Sequence, residues 1–222
     1  MRLQRMAWIG LLLLFGGASS VRAQYDFGYP HRNIEITPFG GSRFGGVIDL
    51  NPSSTNVFDY LTIKSTWDYG VMGNVDIIPS LQAEFMWSRQ PTELGAHDFV
   101  TGITLPAGNA TLDMYQWGFL IALRDPEAKL VPFMVAGLGF THYSARQVTL
   151  GFSNGFSYNI GGGVKYFFAK HVGLRLDVRY APSRTTRSTG VVCDPYLGFC
   201  YPATFANHAR QGQANLGLIF RF

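Results

Sequence analysis

The sequence predicts an all-β fold, an eight-stranded antiparallel transmembrane β-barrel that follows an N-terminal signal peptide. Three observations support this prediction. Eight segments alternate apolar with polar side chains, as strands with two different faces do. The connections between these segments are alternately long and short, and no apolar stretch beyond the leader is long enough for a spanning helix. The composition agrees, because 47% apolar residues and 26 glycines suit a barrel whose strands interleave polar and apolar residues.

The leader has the three parts of a secretory signal peptide. Arg2 and Arg5 give a basic start, residues 6–15 form an apolar run, and a stretch of mainly small residues ends at Ala23. The apolar run is shorter than the roughly 20 residues of a membrane-spanning helix. We therefore expect residues 1–23 to be removed by cleavage after Ala23, which leaves one barrel domain over residues 24–222.

Removing the leader also removes the apparent basicity of the chain. The full sequence has 18 Lys and Arg against 14 Asp and Glu, and the leader holds three of the basic residues and none of the acids. The remaining 15 basic and 14 acidic residues nearly balance. A balanced charge gives no basis for a nucleic-acid partner.

The cysteine content is a single close pair, Cys193 and Cys200. In an exported protein such a pair predicts a disulfide that closes a small loop, and two free thiols are the alternative. A metal site requires more ligands than this pair offers. We therefore predict no metal site and no cofactor.

The predicted strands cover residues 33–42, 65–76, 81–89, 112–124, 131–143, 156–168, 172–180 and 213–222. The connections over residues 44–63, 90–111, 144–155 and 181–212 are predicted to be long loops, and the other three are short turns. In outer-membrane barrels the short turns face the periplasm and the long loops face outward. An even number of strands then leaves both termini on the periplasmic side.

The two faces of the strands differ in charge, which predicts how the barrel is oriented. Nine charged residues of both signs lie on the polar faces: Glu35, Asp68, Asp76, Glu84, Lys165, Arg175, Asp177, Arg179 and Arg221. A soluble barrel, with its apolar face inside, is the alternative. We predict instead that the apolar face contacts lipid, because a closed barrel satisfies its own backbone there. Eight strands enclose only enough room for side chains, so the charges are expected to pair and plug the lumen.

The last strand carries a pattern that resembles the C-terminal assembly signal of bacterial outer-membrane barrels, namely Asn215, Gly217, Phe220 and Phe222. With this strand, residues 173–180 and residues 34–46, the chain resembles the small eight-stranded outer-membrane barrel family, which includes the OmpA barrel, OmpX and opacity-protein-like barrels. The resemblance implies a structural or surface-interaction protein that the barrel assembly machinery inserts among outer-membrane lipid and lipopolysaccharide. We expect no catalytic residues and no enzyme activity.

Binding of an extracellular protein or surface ligand through the long loops is the function that the sequence favours. The segment between Cys193 and Cys200 carries aromatic and apolar residues, Tyr196, Leu197 and Phe199, and Tyr201 follows it. A disulfide would hold these side chains as a rigid contact surface. The alternative is a disulfide that only protects the loop from proteolysis.

A lipid-modifying enzyme and a narrow small-solute pore are the other hypotheses. His142-Tyr143-Ser144 matches the His-x-Ser pair of the lipid A deacylases, which this chain resembles in size. A histidine that activates a serine needs a carboxylate to orient it, and the only acids after Glu127 are Asp177 and Asp194. Palmitoyl transfer needs an apolar cavity for an acyl chain, and a pore needs an open lumen. The charged lumen opposes both.

Overall fold

The computed structural model describes residues 33–50, 58–98, 102–145, 153–185, 188–193 and 200–222. The predicted leader and its cleavage site lie outside this part of the chain. The described residues form thirteen strands: β1 (Ile34–Phe44), β2 (Val47–Leu50), β3 (Phe58–Ile63), β4 (Thr66–Ile78), β5 (Leu81–Asp98), β6 (Thr104–Ala122), β7 (Leu130–Ala145), β8 (Asn154–Phe167), β9 (Val172–Tyr180), β10 (Ser183–Thr185), β11 (Ser188–Cys193), β12 (Cys200–Ala209) and β13 (Gly212–Arg221). Across these residues no helix has the length and hydropathy needed to cross a membrane.

Eight of the strands close into an antiparallel barrel, which confirms the predicted fold class. The order around the wall is β1, β4, β5, β6, β7, β8, β9 and β13, and β13 pairs with β1 to close it. Each of the eight predicted strands corresponds to one of these eight. The wall is all antiparallel because short turns connect β4 to β5, β6 to β7 and β8 to β9.

The prediction of long loops is wrong for much of the described chain. Residues 44–63 contain β2 and β3, residues 90–111 contain the outer halves of β5 and β6, and residues 181–212 contain β10, β11 and β12. The strands β2, β3, β10, β11 and β12 pair with one another and with β5 and β8, so they continue the barrel wall. We call this continuation the outer extension. Four of its strands, β2, β3, β10 and β11, have three to six residues each, too few to show a clear alternation in the sequence.

The barrel and the outer extension meet where four neighbouring wall strands are interrupted. The interruptions lie at Gly45–Gly46, Lys64–Ser65, Ala181–Pro182 and Arg210–Gln211. Gly45 and Gly46 have φ values of 72° and 127°, which favour glycine. Backbone bonds from Ile63 N to Gly46 O and from Ala181 N to Gln211 O, both 2.8 Å, place the interruptions at one level. Strands β5 to β8 run through this level without a break.

The polarity of the wall inverts at that level. In the barrel, large apolar side chains such as Trp67 and Leu176 are exposed on the outside, at 61% and 52%, and charged side chains are buried inside. In the outer extension the inner side is apolar: Ile48, Leu61, Ile63, Leu94, Ala96, Ala107, Ala110, Leu112, Tyr143 and Ala209 form one buried cluster. A wall whose outer side is apolar suits lipid. A wall whose inner side is apolar buries that side and suits water on its outer side. We therefore infer that the lipid-facing part of the wall ends at this level.

Glycines allow β6, β7, β8 and β9 to approach one another closely. A Cβ at Gly139 would overlap the Tyr115 carbonyl oxygen, and one at Gly161 would overlap that of Val178. Both glycines point inward, where any side chain would meet the backbone of the next strand. The glycines of β7 and β8 thus serve wall packing.

Candidate functional site

Two arginines and two carboxylates form the centre of the lumen. Arg175 Nη2 donates to Glu84 Oε2 at 2.7 Å, and Arg179 Nη1 donates to Glu84 Oε1 at 2.7 Å. Arg175 Nε and Arg179 Nη2 both donate to Asp177 Oδ2, at 2.9 and 3.1 Å. All four side chains are at most 3% exposed. Each guanidinium bridges both carboxylates, so a closed ring of ion pairs crosses the lumen from β9 to β5.

The alternation of β9 creates this ring. Arg175, Asp177 and Arg179 are spaced by two residues, so all three point inward, and the residues between them face lipid. Glu84 reaches them from β5 on the opposite side of the wall. Buried charges are costly unless they are paired and fully hydrogen bonded. The ring meets this condition and spans the lumen from β9 to β5.

A second group of ion pairs lies at the end of the barrel that carries Asn33 and Phe222. Glu35 accepts hydrogen bonds from Lys165 Nζ and from Arg221 Nη2, the latter at 2.8 Å. Gln82 Oε1 accepts another bond from Lys165 Nζ at 2.7 Å. The Arg221 guanidinium also lies 3.8 Å from the centroid of the Phe167 ring. These contacts connect β1, β5, β8 and β13 across the lumen.

A third group lies nearer the outer extension. Arg43 Nη2 is 3.5 Å from Asp68 Oδ2 and donates to Ser88 Oγ at 2.5 Å. Gln213 Nε2 donates to the same Asp68 oxygen at 2.5 Å. Arg43 was missing from the predicted lumen charges because the first strand was predicted to end at residue 42. Its odd number, which places it on the face of Glu35, was the signal that could have found it.

All nine predicted lumen charges lie on the inner side of the wall, and eight of them form ion pairs. Asp76 is the exception among the described residues, because its partners are amides: Asn33 Nδ2 at 2.9 Å and Gln82 Nε2 at 2.7 Å. The lumen also contains neutral side chains that the sequence analysis did not select. Met72, Met86 and other apolar residues pack between the charged layers. Both methionines have even residue numbers, as do the inward-facing polar residues of β4 and β5.

The predicted assembly signal divides between the two faces of β13. Asn215 points inward, and its Nδ2 donates to Asp177 Oδ1 at 2.8 Å. Gly217 also points inward, and a Cβ there would lie 2.6 Å from Thr37 Cγ2. Phe220 and Phe222 are exposed outside, at 37% and 71%. Recognition by the assembly machinery stays a prediction.

The His-x-Ser pair lies on the outside of β7, at the outer end of the barrel. His142 Nδ1 and Asn154 Oδ1 are 2.8 Å apart, and Ser144 is exposed on the same face two residues along. The cross-strand neighbour of His142 on β6 is Asp113. Both Asp113 carboxylate oxygens accept bonds from Arg89, at 2.7 and 2.9 Å. The sequence analysis missed Asn154 and Asp113 because strand pairing, and not spacing in the sequence, brings them to His142.

The backbone of the cysteine pair fits the predicted disulfide. Cys193 and Cys200 lie directly opposite each other in the β11–β12 pairing. Opposed antiparallel residues have Cα atoms about 4.5–5.5 Å apart, within the range that a disulfide spans. Residues 194–199 lie outside the described part, as does the Tyr201 side chain, so the proposed aromatic contact surface stays a prediction.

Comparison with solved structures gives the same fold. AlkL, determined in lipid bilayers, has a TM-score of 0.58 at 13% identity and covers 86% of this chain and 90% of its own. OprG of Pseudomonas aeruginosa has a TM-score of 0.56 at 11% identity over 86% and 95%. Neisserial surface protein A has a TM-score of 0.50 at 12% identity over 86% and 97%. No protein-family model matches the chain, and no curated protein sequence matches it.

These similarities show the fold, since the identities are too low to transfer a function. The chain has the fold of the small eight-stranded outer-membrane barrels, as its resemblance to the OmpA and OmpX type predicted. Its lipid-facing exterior and its ion-paired lumen belong to that class of protein.

Proposed function

We propose that this protein is a closed outer-membrane barrel that presents its outer extension as a contact surface for another molecule. The inversion of wall polarity carries the proposal. The buried apolar cluster inside the outer extension gives it a packed core above the membrane, so its outer side can serve as a rigid surface. Export with removal of residues 1–23, insertion by the barrel assembly machinery and contact with lipopolysaccharide belong to the same proposal.

A row of paired residues on the outer extension is the most suitable contact face. Tyr60 and His97 stack with their ring centroids 4.4 Å apart and their planes at 11°. Thr104 is the cross-strand neighbour of His97 on the next strand and is exposed. Aromatic side chains are enriched at protein interfaces because they offer a large contact area with few torsions to fix. We call these three residues the contact row.

Photo-crosslinking in living cells tests the contact row. A photoreactive phenylalanine at position 104 should give a discrete adduct of higher mass under illumination. The Tyr60→Ala change should weaken that adduct by removing one ring of the stack. The same photoreactive residue at Leu176, which faces lipid, is the matched control. A position 104 that gives no more adduct than position 176 would refute the contact surface.

A closed lumen predicts that the barrel does not conduct ions. In a planar lipid bilayer the wild-type protein should give no current steps, because the ring of Glu84, Arg175, Asp177 and Arg179 fills the lumen. Replacing Glu84, Arg175 and Arg179 together by serine should produce measurable steps. Steps of equal size from both proteins would support the narrow-pore hypothesis instead.

Hydrolysis of a lipid acyl ester is a second candidate, favoured by the contact between His142 and Asn154. An amide can orient a catalytic histidine where a carboxylate is missing, as in cysteine proteases with a Cys-His-Asn arrangement. Ser144 would then be the nucleophile. The test is release of fatty acid from lipid A by the purified protein, lost in His142→Ala. Because Asp113 is already bound by Arg89, we rank this candidate second and propose that the protein is not an enzyme.

A further inference from the structure

The outside of β6, β7 and β8 contains an apolar groove that the barrel fold alone does not require. The groove has a volume of about 1,010 Å³ and opens to the side. Trp117 and Phe119 of β6 form one wall, and Phe156 and Ile160 of β8 form the other. These four side chains are 52–55% exposed, so nothing in the described chain covers them.

The floor of the groove is low because the strand between the two walls has a small outward side chain. Ala136 of β7 points outward between Phe119 and Ile160, which are its register neighbours. Gly118 and Gly137, opposite each other in register, also line the groove. Both glycines point inward, and a Cβ at Gly118 would overlap the Ala136 carbonyl oxygen, so β6 and β7 approach closely beneath the groove. The result is a slot at Ala136, bounded toward the outer end of β7 by Leu138 and Phe140, which also line the groove.

The position of the groove on the wall indicates what kind of molecule its lower part can bind. The part between Phe119 and Ile160 lies below the polarity inversion, on the wall whose apolar side chains face hydrocarbon, whereas Phe156 pairs with Arg184 of the outer extension. The groove is continuous with that lipid-facing surface, and its lining is almost entirely apolar. A flexible hydrocarbon chain from the surrounding membrane is therefore the occupant that fits the slot.

Basic residues lie next to the outer end of the groove. Arg184 of β10 is the cross-strand neighbour of Phe156, and His208 of β12 is the neighbour of Arg184. Arg210 lies in the interruption directly after β12. All three basic side chains are exposed, and no described carboxylate forms an ion pair with Arg184. Asn154 lines the groove at this end and adds a polar group.

We propose that this groove is a binding site for a phosphorylated lipid of the outer leaflet, an inference that rests on the proposed insertion of the barrel in the outer membrane. One acyl chain lies in the slot over Ala136, and the phosphate is bound by Arg184, with His208 and Arg210 beside it. Charge complementarity determines the head group, since a guanidinium offers several donors to a phosphate. The aromatic residue next to Arg184 lies at the height where outer-membrane barrels have their aromatic girdle, which is where head groups begin.

Native mass spectrometry of the full-length purified barrel tests the site. The protein is delipidated in detergent and then offered dipalmitoyl phosphatidylglycerol or dipalmitoyl phosphatidylcholine, which share their acyl chains. Wild-type protein should retain one lipid molecule and prefer the anionic one about fivefold, as one basic residue near an anionic lipid provides. Ala136→Trp fills the slot and should abolish retention of both lipids.

Two further variants distinguish binding of the acyl chain in the slot from binding of the phosphate by the basic residues. Arg184→Gln should retain a lipid but lose the preference for phosphatidylglycerol. Leu176→Trp, which adds the same side chain to the lipid-facing wall outside the groove, should behave as wild type. A heat-dependent shift in gel mobility checks that each variant is folded. Equal retention by Ala136→Trp and Leu176→Trp would overturn the site, and an unchanged preference in Arg184→Gln would overturn the phosphate assignment.

Discussion

Replacing Glu84 by glutamine should lower the free energy of unfolding by about 3–5 kcal/mol, the cost of breaking a buried ion pair. Glu84 accepts bonds from Arg175 and Arg179, and it is 3% exposed. Glutamine keeps the size of the side chain but removes its charge, so two buried guanidinium groups would share the single carboxylate of Asp177. Urea unfolding in lipid vesicles, followed by tryptophan fluorescence, measures the change.

An exposed glutamate provides the matched control for this prediction. Glu93 pairs with Lys64 at 3.0 Å, but their side chains are 59% and 65% exposed. Exposed ion pairs contribute about 1 kcal/mol or less, so Glu93→Gln should leave the unfolding midpoint nearly unchanged. Equal midpoints for the two variants would show that the ring in the lumen does not stabilise the barrel.

Replacing Gly139 by alanine should prevent or strongly impair closure of the barrel. The added Cβ would overlap the Tyr115 carbonyl oxygen and would lie 2.8 Å from the Gln116 Cα, so β6 and β7 would have to separate. Overpacking typically costs about 1–3 kcal/mol and sometimes more. We expect the upper end here, because backbone, and not a flexible side chain, is in the way. The fraction of protein that shifts in an unheated SDS gel measures folding.

Gly73 provides the control for the same substitution. A Cβ there meets nothing within 4 Å, and the position faces outward on β4. Gly73→Ala should therefore give the wild-type fraction of folded barrel. If Gly139→Ala folds as well as Gly73→Ala, the close approach of β6 and β7 is not needed for the barrel.

The membrane part of the fold could be predicted from the sequence because burial there follows a period of two. Residues such as Leu174 and Leu176 face lipid while Arg175 and Asp177 face the lumen, and the same rule holds in each long strand. The rule also predicts the inner face of β13. It does not need long-range information, since each strand has its own alternation.

The outer extension could not be predicted because the alternation changes phase where the wall is interrupted. Arg43 points inward at an odd position, but after Gly45 and Gly46 the inward residue is Ile48, at an even one. A similar shift separates Ile63 from Asp68. In addition, the interior changes there from polar to apolar. An apolar residue faces outward in the barrel but inward in the outer extension, so the alternation alone does not tell which side is the inside. Pairing between distant strands, such as β2 with β12, has no local signal.

Which side chains contact one another in the candidate sites could not be predicted from the sequence either. Charges of both signs on the inner faces indicated that pairs would form, but not that Glu84 would bridge two arginines of β9. Likewise, Asn154 reaches His142 through the register of β7 and β8. Register is fixed by the sum of many backbone bonds along a strand, which no single residue reveals.

The pairing of β13 with β1 determines when the lumen can become dry during assembly. Arg221 and Glu35 are separated by 186 residues, yet they form an ion pair. Before the seam closes, they lie on opposite edges of an open sheet whose unpaired backbone groups could join another chain. Closing so long a loop is entropically costly and slow. We therefore expect the lumen charges to stay hydrated until β13 pairs with β1, and that water to leave when the barrel closes.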